Sequence, residues 1–219
     1  MLQKIEQLYT QWYELISTFQ AEPIKTQHTF AALVSNYSNQ KRFYHNLEHI
    51  SHVLRIIETL QDYAQNLASV KFAAWFHDVV YNTKTHDNEE KSAIYAVNTL
   101  KSLGISDQVT IKVKHLILST KTHHIDVFDP EKTDTQILLD ADLAILGSQP
   151  EKYQKYTQSI RQEYGWVSND NYCVARKRVL EKFLQRRYIY STPLMYQKYE
   201  QTARKNIRAE IEYFSILEL

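Results

Sequence analysis

The chain has 219 residues and a formal net charge of +1 at pH 7, long enough to enclose one core but without a global field to draw it onto nucleic acid or an anionic membrane. With only 3 Gly and 4 Pro it lacks the turn punctuation of a many-stranded sheet, so an all-α chain is expected. The single cysteine, Cys173, excludes an internal disulfide and fits a reducing compartment, and its neighbours Tyr172 and Val174 suggest a packed thiol.

In chain order, Ile5, Leu8, Trp12, Leu15 and Phe19 recur at spacings of three and four, the stripe of an amphipathic helix that Ala21-Glu-Pro23 ends. Its Gln and Glu residues exclude a signal-peptide core, and no later segment approaches ~18 uninterrupted apolar residues, so a cytoplasmic protein without a membrane partner is expected. Thr26 to about Tyr37 reads as a second helix. After the polar connection from Asn39 to Arg42, a third helix runs from Asn46 to Leu60 with Leu47, Ile50, Leu54 and Ile57 on one face. The apolar run from Val70 to Val80 is a fourth helix. It is predicted to carry His77-Asp78, with Phe72, Trp75, Phe76 and Val79 as a bulky face and Ala73 and Ala74 as a small one.

A fifth helix spans Asp87 to about Leu103, with Asp87 or Asn88 as N-cap and Gly104 as its stop. Ser106 caps a sixth, which reaches about Thr120 before the polar stretch Lys121 to Asp126 and the loop at Asp129-Pro130. Thr135 to Leu146 is a seventh helix closed by Gly147, and three more follow around residues 150–163, 169–187 and 194–216. In the second of these, Arg176, Lys177, Arg178, Lys182, Arg186 and Arg187 form a local basic cluster. Their apolar partners Val179, Leu180, Phe183 and Leu184 make it an amphipathic helix with a solvated charged side, so it gives no strong nucleic-acid signal.

Chemistry concentrates at His77-Asp78, because adjacent polar residues in an apolar helix are costly to bury without compensation. Imidazoles and carboxylates also set among apolar residues lie upstream, in Tyr44-His-Asn-Leu-Glu-His49, and downstream, in Leu138-Leu-Asp-Ala-Asp-Leu143. Together they have the composition of a divalent-metal site, with His49, His77, Asp78 and one of Asp140 or Asp142 as ligands. Residues two apart on a helix point about 200° away from each other, so only one of the two aspartates faces a given ion. Taken alone, a buried His-Asp pair is more often a hydrogen-bonded structural feature. A competing pattern is His45-Asn-Leu-Glu48-His49, which fits the H-x-x-E-H signature of a zinc peptidase but leaves His77-Asp78 unexplained.

These motifs resemble the HD superfamily of metal-dependent phosphohydrolases. The similarity extends to a branch of predicted HD phosphohydrolases through Arg42-Phe-Tyr44-His-Asn46, Ala74-Trp-Phe-His-Asp-Val-Val-Tyr81, Asn88-Glu89-Glu-Lys-Ser92-Ala93, Leu116-Ile-Leu-Ser-Thr120 with His123, Asp140-Ala-Asp-Leu-Ala-Ile-Leu-Gly147, Ile160-Arg-Gln-Glu-Tyr164 and Ala203-Arg-Lys-Asn206, covering residues 40 to 210. The resemblance implies a single HD-type helical bundle over residues 1–219, with a metal-binding core at about 40–147 and additional C-terminal helices at about 148–219. It favours Asp142 over Asp140 as the fourth ligand and implies hydrolysis of a phosphate ester or anhydride, with a nucleotide or related small molecule as the default substrate. One divalent ion is expected, Mn, Co, Ni, Mg, Fe or Zn. Asn88-Glu89 stands where dinuclear members carry a histidine, which argues against a diiron oxygenase or cyclic-dinucleotide phosphodiesterase.

Within that frame Glu89 is the candidate to orient or deprotonate water, and His123 to protonate a leaving group. Arg42, His45, Lys121 and Tyr81 are candidate substrate-binding residues, each with a surface or supporting role as its competitor. Arg204 and Asn206 are expected to be structural or pocket-lining. A non-catalytic regulatory module holding a metal and a ligand is the alternative function, and the sequence leaves a homo-oligomer open.

Overall fold

Residues 2–126 and 128–217 are described by the structure, a computed structural model. Among the described residues there are ten α-helices, two short 3-10 segments and no strand. The chain divides into two units, 1–138 and 139–219. The first contains α1 (Leu2–Ser17), α2 (Pro23–Tyr37), α3 (Leu47–Thr59), a 3-10 turn (Gln61–Tyr63), α4 (Leu67–Phe76), α5 (Asn88–Ser102), α6 (Asp107–Ser119) and most of α7 (Lys132–Asp142). The second contains the end of α7, the 3-10 segment Leu143–Gly147, α8 (Pro150–Glu163), α9 (Asn169–Gln185) and α10 (Pro193–Leu217). No helix among the described residues is long and apolar enough to cross a membrane.

The first unit is built around α4. Val70, Phe72, Ala73, Ala74, Trp75 and Phe76 are all buried, so the helix from Phe72 onward is enclosed instead of presenting one apolar face, while Leu67, Ala68 and Lys71 are half-buried. Helices α3, α5 and α6 pack against it. Trp12 of α1 meets Phe72, Trp75 and Phe76 edge-on, with ring centroids 5.6–6.1 Å away. The start of α4 is fixed by two acceptors. Asn66 receives the amide of Ser69, and the buried carboxylate of Asp134 receives the amides of Gln65 and Asn66 at 2.8 and 2.9 Å. Burial raises the Asp134 pKa above the usual carboxylate value.

α4 stops one residue before the doublet that the sequence placed inside it. His77 is the C-cap, its amide making the last four-residue bond to Ala73 at 2.8 Å, and the amide of Val79 turns back to Phe76 at 3.1 Å. Beyond it, the Ser92 hydroxyl takes both the amide and the carbonyl of Val80, at 3.1 and 3.2 Å. Those backbone groups are thereby withdrawn from any continuation of the helix.

Other boundaries differ for local reasons. Pro23, read as a helix breaker, opens α2 at its first position, where a missing amide costs nothing. Asp87 and Ser106 occupy N-cap positions without side-chain capping bonds; Asp87 instead pairs with Lys91 at 2.9 Å. The stop at Gly104 is as expected, with φ +79° and the amides of Gly104 and Ile105 bonded to Lys101 and Leu100. A Cβ there would meet nothing within 4 Å, so Gly104→Ala is expected to cost only the left-handed backbone penalty, about 1 kcal/mol, read as a lower urea midpoint at unchanged slope.

In the second unit the expected seventh helix tightens into 3-10 geometry after Asp142. Gly147 is required by close approach, since a Cβ there would lie 2.6 Å from Tyr199 Cβ of α10. Asn206 donates to the carbonyls of Leu146 and Ser148 at 2.9 and 2.8 Å, and Arg204 binds Glu200 and the carbonyls of Leu184, Arg186 and Arg187, so both residues are structural. The α9 charges are not all solvated. Arg176 is largely withdrawn from solvent by its pairing with buried Glu210 of α10, while Val179, assigned to the apolar side, is exposed.

Candidate metal centre

His49 lies in the first turn of α3, whose start is set by Asn46 accepting the amide of Glu48 at 2.8 Å. His77 and Asp78 come from the end of α4. The Nε2 atoms of His49 and His77 face each other at 3.1 Å, and Asp78 Oδ2 lies 3.0 Å from His77 Nε2 and 3.6 Å from His49 Nε2. Donors held about 2.0–2.2 Å from a shared ion, at angles between octahedral and tetrahedral, stand roughly 2.8–3.6 Å apart, so this triangle fits one divalent cation. Among the described residues it is the group of His, Cys, Asp and Glu side chains whose ligand atoms converge in this way.

The histidine orientation suits ligation. His77 Nδ1 is 2.9 Å from the carbonyl of Ala74, which can only accept, so the proton sits on Nδ1 and the Nε2 lone pair points at the other two donors. Both imidazoles have 1% side-chain exposure and Asp78 has 16%, so the centre opens to solvent on the carboxylate side. Burial alone would raise the Asp78 pKa. In the metal-free site, protonated imidazoles outweigh it: the charge of His77, then that of His45, a His77 hydrogen bond and the charge of His49 hold the carboxyl well below its usual range.

A shell of aromatic and polar groups fixes this arrangement. Arg42 donates to the carbonyls of His45 (3.1 Å), Asp78 (2.6 Å) and Val79 (2.9 Å), and its guanidinium lies over the rings of Tyr37 and Tyr81. His45 stacks on Tyr81 with centroids 4.2 Å apart, and Tyr44 lies 4.9 Å from the His49 ring. Asn88 accepts the amide of Asn82 and donates to its carbonyl, both at 3.0 Å, which closes the loop that follows the doublet. Sequence reading missed Ser92 and Tyr37 as supports. Ser92 stands one turn after Asn88 in the same motif, a spacing that places both on one helix face, whereas nothing local marks Tyr37.

The remaining candidates make contacts of their own. Glu89 is half-buried in the first turn of α5 and outside the converging trio. Lys121 is ion-paired with Glu90 and donates to the His86 carbonyl at 2.9 Å, so the end of α6 is tied to the start of α5. The Glu90 hydrogen bond and nearby carboxylates raise its pKa. His123 has a left-handed backbone, φ +48°, and its amide bonds to Ser119. His115 bonds Asp129 at 2.8 Å and anchors the loop after α6.

Glu48, the would-be base of a peptidase, is 71% exposed and paired with Lys4, and His45 precedes the α3 cap, so the H-x-x-E-H residues do not form a helical zinc motif. In the second unit, Asp140 accepts the amides of Ser191 and Thr192 and the Thr192 hydroxyl, the nearest at 2.7 Å, which makes it a structural acceptor. Burial pushes its carboxyl up to about 6 against those donors. Asp142, half-buried, ends α7. No protein-family model matches the chain, and none of the curated proteins matches it.

Proposed function

We propose that the protein is a metal-dependent phosphohydrolase of HD type that cleaves a phosphate ester or anhydride of a nucleotide or related small molecule. The observation carrying this reading is the convergence of His49 Nε2, His77 Nε2 and Asp78 Oδ2 within bonding distance of one ion. A divalent ion held there supplies Lewis acidity toward a phosphoryl oxygen and lowers the pKa of water. Three protein donors leave coordination positions open, as a catalytic centre needs and a closed structural site does not. The resemblance assigns a further ligand to Asp142, and that assignment rests on the sequence alone.

The protein groups around the ion have separable tasks. His49 and His77 present neutral nitrogens from a dry interior, and Asp78 contributes the negative charge on the side that a substrate reaches. His45, half-buried on Tyr81, stands where it can hydrogen-bond a phosphoryl or leaving-group oxygen. Glu89, in the first turn of α5, would orient or deprotonate water and Lys121 would bind phosphate oxygens, both assignments resting on the sequence.

The deciding experiment is phosphate release by metal-stripped protein reloaded separately with Mn, Co, Ni, Mg, Fe and Zn, across nucleotides and small phosphoesters. Release should require the metal and fall at least a hundredfold in a folded Asp78→Ala variant. Tight ion binding with no release from any substrate would overturn the enzyme reading in favour of a regulatory ligand-binding module.

A further inference from the structure

We propose that Arg42 is a positioning residue of the metal centre, holding the turn that carries Asp78 and the loop that carries His45 by its shape and hydrogen bonds, not by its charge. The inference deepens the phosphohydrolase reading and rests on it for the presence of an ion.

A helix end leaves its last carbonyls without intrahelical donors, and a chain that turns sharply there has little to define its path. At the end of α4 the carbonyls of Asp78 and Val79 are both taken by one guanidinium, at 2.6 and 2.9 Å, and the same group binds the carbonyl of His45 at 3.1 Å. One planar cation therefore spans two segments, the turn after α4 and the loop before α3. Its own position is fixed by rings. The guanidinium lies 5.1 Å from the Tyr37 centroid and 5.5 Å from that of Tyr81, and Tyr81 in turn carries the His45 ring. Tyr37 is buried and donates its hydroxyl to the carbonyl of Trp75 at 2.9 Å, so the stack is rooted in α4 itself. The result is a continuous order of Tyr37, Arg42, Tyr81 and His45 along one wall of the site.

This commitment separates Arg42 from the substrate-binding role that the sequence suggested. The hydrogen bonds that place it run to backbone carbonyls, and lysine cannot replace them, because an ammonium lacks the planar fork and the stacking face. The sign of the effect on ion binding distinguishes the possibilities. A cation near a divalent ion repels it, so if charge were what mattered, removing Arg42 would tighten ion binding. If Arg42 positions Asp78, its removal loosens the ligand set and weakens binding.

The test is Co(II) affinity, by chelator competition, and the Co(II) visible spectrum of the wild-type protein, Arg42→Lys and Arg42→Ala, with metal-free thermal unfolding and inorganic phosphate binding measured alongside. The expected result is a ten- to hundredfold loss of affinity and an altered spectrum in both variants, the scale seen when a residue that orients ligands is removed. Equal or tighter Co(II) binding overturns the proposal. Unchanged ion binding with weakened phosphate binding overturns it in favour of substrate contact. A loss of affinity that only follows loss of metal-free helical structure also overturns it, since Arg42 would then serve folding alone. Absence of Co(II) binding by the wild-type protein overturns the metal reading itself, a failure distinguishable from the others because it precedes any substitution.

Discussion

Metal-stripped protein is expected to gain thermal stability on titration with Mn or Co, and Asp78→Asn to abolish that gain. An ion that binds the folded chain and not the unfolded one stabilises it by mass action, about 2.7 kcal/mol when the free ion is a hundredfold above its dissociation constant. For a chain of this size that corresponds to an upward shift in Tm of several degrees. The triangle of His49, His77 and Asp78 has one negative charge, and Asp78→Asn removes it with little change of volume. The depressed Asp78 pKa keeps the carboxyl ionised into acid, so the charge that Asp78→Asn removes is present at neutral pH. An undiminished metal shift in Asp78→Asn would place the ion elsewhere and remove the basis of the functional reading. Differential scanning fluorimetry with and without chelator reads the outcome directly.

The second large effect concerns stability in the second unit. Glu210→Ala is expected to cost about 3–5 kcal/mol, because it strands a buried cation. Arg176 Nε lies 2.9 Å from Glu210 Oε1, with side-chain exposures of 10% and 6%, and Nη1 reaches the Tyr156 hydroxyl at 3.2 Å. Tyr153 donates its hydroxyl to the same carboxylate. Burial works to lower the Arg176 pKa, but Tyr156 and Glu210 outweigh it and raise it, so the guanidinium stays charged and must be compensated. Replacing both partners, as in Arg176→Met with Glu210→Leu, is expected to recover most of the loss, because the desolvation penalty disappears with the charges. Urea unfolding of the two single variants and the double variant forms a cycle. A Glu210→Ala cost below about 1 kcal/mol would show that water already shares the pair.

Much of the helical order was legible in the amino-acid pattern, because Leu8, Trp12 and Leu15, or Ile50, Leu54 and Ile57, can share a buried face only at helical spacing. Gly104 was legible for a similar local reason, since its left-handed backbone is one that glycine adopts without strain. The trio His49, His77 and Asp78 could be named because polar residues in apolar surroundings need partners of complementary chemistry. The end of α4 was not legible. The run from Val70 to Val80 holds no Gly or Pro to mark a stop, and Ser92, twelve residues beyond Val80, takes the Val80 backbone groups that a longer helix would need. The α9 cations illustrate the same limit, for periodicity cannot tell a solvated arginine from one that meets a glutamate on another helix.

The sequence by itself determined the all-helical class, most helix positions and the identity of the converging histidines and aspartate, since these follow from periodicity, turn-residue content and the cost of burying polar groups. Only tertiary structure decided where α4 ends, that Arg42 grips three carbonyls between two tyrosine rings, and that Arg176 pairs with buried Glu210. Each of these depends on a partner many residues away. Hydrogen-bond acceptors supplied by the backbone leave no trace in residue identity, because every residue carries a carbonyl.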